Sequence, residues 1–253
     1  MTRVIAIANQ KGGVGKTTTA INLGASLAVA EKRTLVVDFD PQSNATRGLG
    51  FGPDPERSSV YDCLLDGQGP TRGVILSTRL PFLDLLPAER ELVGAEFELV
   101  AADKREQRLG EVLAMVKDDY QYILIDCPPS LGLLTLNALV ASDSLLVPVQ
   151  CEYLALEGLS EVLSTWKRVA ATLNPQLRLE GVLLTMFDDR TNLSRQVVDE
   201  IREHLGPQVF KTIIPRNVRL GEAPSHGMPI LTYDIRSKGA EAYMGLAREI
   251  VER

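Results

Sequence analysis

Histidine is nearly absent: His204 and His226 are the two in 253 residues, which argues against a histidine-ligated metal. Cysteine is almost as scarce. Cys63, Cys127 and Cys151 stand far apart, without metal-ligand spacing. An odd, sparse count argues against a disulfide framework and suits a reducing compartment. Long apolar runs are missing too, since stretches such as "YILI" and "LLVPV" fall far short of the roughly 20 residues that span a bilayer. The opening "MTRVIAIANQKGG" passes straight into a strand-like run with no leader pattern, so a cytoplasmic location is expected. Positive charge is not in excess either. A net charge of −6, taken alone, argues against a nucleic-acid partner. No internal repeat, low-complexity tract or shift in composition marks a second domain.

What is present is an α/β pattern. With 45% hydrophobic residues, 24% charged residues and a mean hydropathy of +0.02, residues 1–253 read as a single domain. Apolar runs at 4–8, 34–39, 82–86, 122–125, 144–149, 178–185 and 209–214 predict strands. They lack polar/apolar alternation, as strands do in a parallel sheet covered on both faces. Helices are predicted at 16–30, 90–117 (in two pieces), 131–141, 153–173, 191–205 and 238–252. In the helix at 153–173, Leu156, Leu159, Leu163, Trp166, Ala170 and Leu173 form a stripe expected to face the core. The alternation predicts a doubly wound, mostly parallel sheet with helices on both faces. Residues 48–59, "GLGFGPDPERSS", read as a loop excursion.

Between the first strand and the first helix stands "NQKGGVGKTTTAINL", the context in which a Gly-rich motif becomes a phosphate-binding loop. Gly12, Gly13 and Gly15, with Val14 between them, permit close backbone approach, so that N–H groups and the helix N-terminus point at phosphate oxygens. Lys16 would neutralise the β- and γ-phosphates, the Thr17 hydroxyl would ligate Mg²⁺, and Thr18 would reach the α-phosphate region. Lys11 is then surplus. A lysine at the start of this loop has difficulty curling back onto phosphates already ringed by backbone donors, and reaches more easily to a nucleotide held by a second copy. "KGGVGKT" is similar to the deviant Walker A motif of the ParA/MinD family of P-loop ATPases. That resemblance implies ATP and Mg²⁺ as cofactors, and two subunits sandwiching two ATP molecules with Lys11 acting in trans.

"LVVDFDPQSNAT" places Asp38 and Asp40 at the end of a strand, where ligands of open α/β sheets bind. Strand alternation would point both carboxylates the same way, so their repulsion calls for a cation or hydrogen-bond donors. The resemblance implies that Asp40 orients the attacking water, while Asp38 lies near Mg²⁺ and its waters. "YILIDCPPS" ends another strand with Asp126, which resembles the Walker B aspartate. Catalysis would then be positioning and charge stabilisation. No arginine finger is evident, so slow intrinsic hydrolysis, open to stimulation by a partner, is expected.

Three branches of this scaffold are separable. An iron–sulfur relative needs paired cysteines, which Cys127 and Cys151 do not supply. A MinD-like membrane-cycling switch, the alternative reading, needs a basic amphipathic terminal helix. The last helix carries an apolar face of Tyr243, Leu246, Ala247 and Ile250, but its other face has no basic excess, so packing on the sheet is expected instead. The third branch is DNA partition. "TMFDDRTNLSRQVVDEI" and "KTIIPRNVRLGEAPSHGMPILTYDIRSKGAEAY" closely resemble the Soj branch of chromosomal ParA proteins, and the resemblance runs over essentially the entire chain. Residues 188–239 hold eight Lys and Arg against seven Asp and Glu, a relatively basic stretch. The resemblance implies that Arg190 and Arg219 contact DNA in the ATP-bound homodimer, with Arg216 more ambiguous, and that Pro215 and Asn217 approach the adenine. It also implies non-specific binding of double-stranded DNA, association with the nucleoid, and a ParB-like centromere-binding partner that stimulates hydrolysis. No N-terminal helix-turn-helix precedes the loop, so site-specific repression is not expected.

Overall fold

In the computed structural model, which describes residues 2–66, 73–153 and 155–253, eight strands form one sheet. They are β1 (Arg3–Ile7), β2 (Thr34–Asp38), β3 (Leu76–Ser77), β4 (Leu83–Leu86), β5 (Tyr122–Asp126), β6 (Ser144–Gln150), β7 (Arg178–Phe187) and β8 (Val209–Pro215). The spatial order is β3-β4-β2-β5-β1-β6-β7-β8. All pairs are parallel except β3 against β4. The parallel strands match the seven apolar runs. β3 was not expected; two residues carry no periodicity, and only pairing with Leu85 and Asp84 makes them a strand.

Eleven α-helical segments are described: α1 (Lys16–Val29), α2 (Asn44–Gly48), α3 (Val60–Asp66), α4 (Leu92–Glu98), α5 (Arg108–Ala114), α6 (Leu133–Val140), α7 (Ala155–Thr172), α8 (Asn192–Leu205), α9 (Val218–Glu222), α10 (Ile230–Tyr233) and α11 (Lys238–Glu252). The predicted helix at 90–117 is broken into α4 and α5, as the sequence suggested. Leu154, inside the predicted helix at 153–173, lies outside the described residues.

The strands alternate between two cores with the period-two geometry of a pleated strand. Val4, Ala6, Leu35, Val37, Ile123 and Ile125 point into one core, where α3 to α8 pack. Ile5, Ile7, Val36 and Leu124 point into the other, beneath α1 and α11. Both faces are therefore dry, which explains why β2 and β5 are buried at every residue. On α7 the fully buried positions are Ala155, Leu159, Val162 and Val169. Leu156, Leu163 and Trp166 only flank that core, so the buried stripe is rotated from the one predicted. Trp166 Nε1 instead donates to the Leu177 carbonyl at 3.1 Å.

On α11, Tyr243, Leu246, Ala247 and Ile250 are buried. The Tyr243 hydroxyl meets Thr19 Oγ1 of α1 at 3.2 Å, and Ser237 Oγ caps the helix by accepting from the Ala240 N–H at 3.1 Å. β1 sits mid-sheet between β5 and β6. The loop after β1 thus opens where successive strands depart in opposite directions, the crevice in which open α/β sheets bind ligands.

Candidate functional site

The loop after β1 is fixed at several points. Asn9 Nδ2 donates to the Pro148 carbonyl at 2.7 Å, and Asn9 Oδ1 accepts from the Lys11 N–H at 3.0 Å. Thr185 Oγ1 donates to the Val14 carbonyl at 2.8 Å. Gly15 precedes α1 with φ of 95°, a left-handed conformation that a side chain would strain. A Cβ built on Gly12 or Gly13 would meet nothing within 4 Å. The loop is therefore an open cradle ahead of a helix N-terminus, whose first N–H groups lack intrahelical acceptors.

Lys16 lies under this cradle, 6% exposed, and its Nζ donates to the Lys11 carbonyl at 3.2 Å. Burial lowers its pKa, against the attraction of Asp126. Register places Asp38 beside Asp126 on neighbouring strands, and both are wholly buried. They are not equivalent. Asp38 Oδ2 accepts from Thr46 N–H and Thr46 Oγ1, each at 2.7 Å, while Oδ1 accepts from the Asp40 N–H at 3.3 Å. Burial raises its pKa, and the Thr46 bonds oppose the rise. Asp126 has neither oxygen hydrogen-bonded among the described residues. Burial raises its pKa well above the usual carboxylate range, and the neighbouring Asp38 adds to the rise. The Thr17 hydroxyl faces Asp126 and offsets part of this without reaching full hydrogen-bond geometry.

Asp40 lies beyond the end of β2, with Oδ1 accepting from the Gln42 N–H at 3.0 Å. The picture of two carboxylates alternating along one strand is thus corrected: the strand stops at Asp38, and a turn carries Asp40.

Asp126 and Asp40 lie near one buried ammonium, with Asp38 beside Asp126, a surplus of carboxylates that a cation would offset. The available donors are hard oxygens, the type that suits Mg²⁺. Among the described residues no group of three or more His, Cys, Asp or Glu could hold a metal alone. Mg²⁺ commonly keeps several waters and shares phosphate oxygens. The orphaned Asp126 and the open cradle above it both fit such a pairing.

Beside the loop, a cleft of about 330 Å³ is lined by Gly15, Thr18, Met186, Pro215, Asn217 and Tyr243, among others. It brings Pro215 and Asn217 to the same side as Thr18. Asn217 Oδ1 accepts from the Arg219 N–H at 2.8 Å and caps α9.

Arg216 lines the cleft too, and its N–H donates to the Phe187 carbonyl at 2.8 Å. Arg190, in the turn after β7, and Arg219, on α9, lie on the same edge of the sheet. Both are exposed, and both are already paired. Arg190 grips Asp188 through Nε and Nη2 at 2.8 and 2.7 Å. The guanidinium holds the Asp188 carboxyl down at about 2. Arg219 Nη1 donates to Glu222 at 2.9 Å, and its Nε lies 3.6 Å from Asp234. Lys11 is likewise engaged, with Nζ donating to Glu152 Oε1.

Sequence reasoning missed Glu152, Thr46, Asn9 and Thr185. Thr46 stood within the quoted "DFDPQSNAT", but nothing in its spacing from Asp38 announced the hydrogen bond. Cys127 and Cys151 are buried, with both thiols pushed up by burial, Cys151 to about 12. Neither is a ready metal ligand.

A family model described as an AAA domain matches residues 2–179. The chromosome partitioning protein ParA of Myxococcus xanthus (strain DK1622) is 57% identical over 251 residues, covering 99% of this chain and 88% of that protein. The sporulation initiation inhibitor protein Soj of Bacillus subtilis (strain 168) is 57% identical over 250 residues, covering 99% of this chain and 98% of that protein. Among solved structures, a cobyrinic acid a,c-diamide synthase from Mycobacterium smegmatis with bound ATP analog and magnesium superposes with a TM-score of 0.87. It is 40% identical, and the match covers 100% of this chain and 95% of that one.

Proposed function

The chain belongs to the ParA/Soj family of chromosome-partitioning ATPases, and from that premise we propose how its own residues drive an ATP-dependent partition cycle. The protein is an ATPase of chromosome partition that uses ATP and Mg²⁺. A protein named as a synthase shares its fold, so fold alone does not choose the function; the partition proteins' 57% identity over nearly the full chain does. The observation that carries the mechanism is the open cradle over Gly12 and Gly13, floored by Lys16 and by the unpaired Asp126.

In this reading, Lys16 exchanges the Lys11 carbonyl for β- and γ-phosphate oxygens. Thr17 would ligate Mg²⁺, Asp126 would hold it through a water, and Asp38, positioned by Thr46, would lie near the ion and its waters. The ion, when bound, supplies charge neutralisation at the phosphates. Asp40, fixed by the Gln42 N–H, orients the attacking water. The adenine sits in the cleft at Pro215 and Asn217. Lys11 reaches the γ-phosphate held by a second copy, so ATP favours the homodimer and shifts the population toward it.

The dimer doubles the arginine-bearing edge. Arg190 and Arg219, with Arg216 beside them, then bind DNA phosphates without reading sequence. A ParB-like partner accelerates hydrolysis, the dimer separates and DNA is released. The protein works in the cytoplasm, at the nucleoid, as one ATPase domain over residues 1–253.

The membrane-cycling alternative requires an exposed apolar helix face, whereas that of α11 is buried against the sheet. No helix among the described residues is long and apolar enough to cross a membrane. A gel-shift assay with an arbitrary duplex tests the reading: retardation with ATP and Mg²⁺, and none with ADP or without nucleotide. Equal retardation in all three would overturn the ATP gate, and flotation with liposomes in ATP would favour the alternative.

A further inference from the structure

Lys11 is held at both its backbone and its side chain. Its N–H is fixed by Asn9, its carbonyl accepts from Lys16, and its Nζ is paired with Glu152. Glu152 follows β6, the strand next to β1. Its own N–H donates to the Gln150 carbonyl at 2.8 Å, and its carbonyl accepts from Ala155 at the start of α7. Both partners are therefore delivered from adjacent strand ends to the rim of the phosphate cradle. The side chains of Lys11 and Glu152 are 36% and 37% exposed, so an incoming anion can compete for the lysine.

We propose that Glu152 is a positioning residue that keeps Lys11 folded onto its own subunit until the γ-phosphate of a partner copy displaces it. The proposal rests on the reading that Lys11 acts in trans. An exposed ion pair contributes little to stability, so the tie is easily opened. A γ-phosphate offers a larger charge, and in a closed sandwich water no longer screens it. The exchange therefore runs toward the partner only when a triphosphate is present. Without one, the same lysine stays neutralised at home, and two phosphate loops do not approach. Arrival of the nucleotide also draws Lys16 off the Lys11 carbonyl, which loosens the lysine's backbone as its side chain is released.

The test is sedimentation velocity over a range of protein concentrations, with Mg²⁺ and a non-hydrolysable ATP analogue, on the wild type, E152Q, E152D and K11A. One exposed pair changes an equilibrium by at most about fivefold, and each dimer opens two. The monomer–dimer midpoint of E152Q should therefore fall by up to about 25-fold on the same basis, while E152D, which keeps the carboxylate, stays near the wild type and K11A stays monomeric. Thermal melts of the variants confirm that they fold, as expected for an exposed site. If K11A dimerises like the wild type, the trans role fails and the latch fails with it. If K11A is monomeric but E152Q keeps the wild-type midpoint, or E152D departs as far as E152Q, the trans role stands and the latch alone is overturned.

Discussion

Asp126 is a buried side chain of the candidate site left without a partner. Its two oxygens are buried without a hydrogen bond among the described residues, and such a group costs the resting fold about 1–3 kcal/mol. Asp126→Ala should therefore raise the unfolding midpoint of the nucleotide-free protein while abolishing the extra stabilisation that ATP and Mg²⁺ give the wild type. Differential scanning fluorimetry with and without ligand reads both effects; a lower midpoint without nucleotide would mean that the carboxylate is structural. Lys16→Ala should remove ATP binding outright, measurable by titration with a labelled nucleotide.

Arg190 presents the opposite case, a cation whose partner stands two residues away. DNA must displace Asp188 to reach it, so Asp188→Asn should tighten ATP-dependent binding modestly, and unchanged affinity in fluorescence anisotropy would remove Arg190 from the interface. The motif residues were legible because "GGVGKTT", Asp38, Asp40 and Asp126 follow strands at sequence-visible positions. Glu152 as a partner was not, because a hydrogen bond across a fold leaves no spacing rule in the chain. Thr46 and Asp188 stand near Asp38 and Arg190 in sequence, but only the local turn brings each pair together.

Among the elements, legibility followed length. Parallel strands and long helices announced themselves by composition and period, whereas α2, α9 and α10 did not. One turn of helix is unstable alone and is held by what it packs against. The rotation of the buried stripe on α7 has the same origin: several faces were apolar enough, and docking on the sheet selected one.

The short elements around α2 and α9 are locked by glycine. Gly227 ends the turn Ala223–His226 with φ of 62°, and a Cβ there would lie 2.6 Å from the Gly50 Cα. Gly227→Ala should cost about 2 kcal/mol or more, combining left-handed strain with a backbone clash. Urea denaturation should show a lower midpoint at unchanged slope; a midpoint like the wild type's would mean that the two segments separate easily.

For the whole molecule, the net charge of −6 points away from nucleic acid, and the proposed DNA contact rests on how charge is distributed. β7 and β8 bring Arg190, Arg216 and Arg219 to the sheet edge that also holds the phosphate cradle. If two arginines per subunit engage in the dimer, roughly four phosphates are neutralised, and log affinity should fall against log salt with a slope of about −3 to −4. A slope near zero would exclude phosphate contacts.

The fold class was legible from alternation, but the strand order was not. Which neighbour a strand chooses depends on crossovers that composition does not record. The touching glycines acquire their meaning at this scale. Gly50 lies just past α2, which follows the turn that bears Asp40, and Gly227 ends the turn that follows α9, which bears Arg219. With hydrogen in place of a side chain at both, the junction has no soft padding. The two segments therefore meet backbone to backbone, and neither can shift toward the other without a clash.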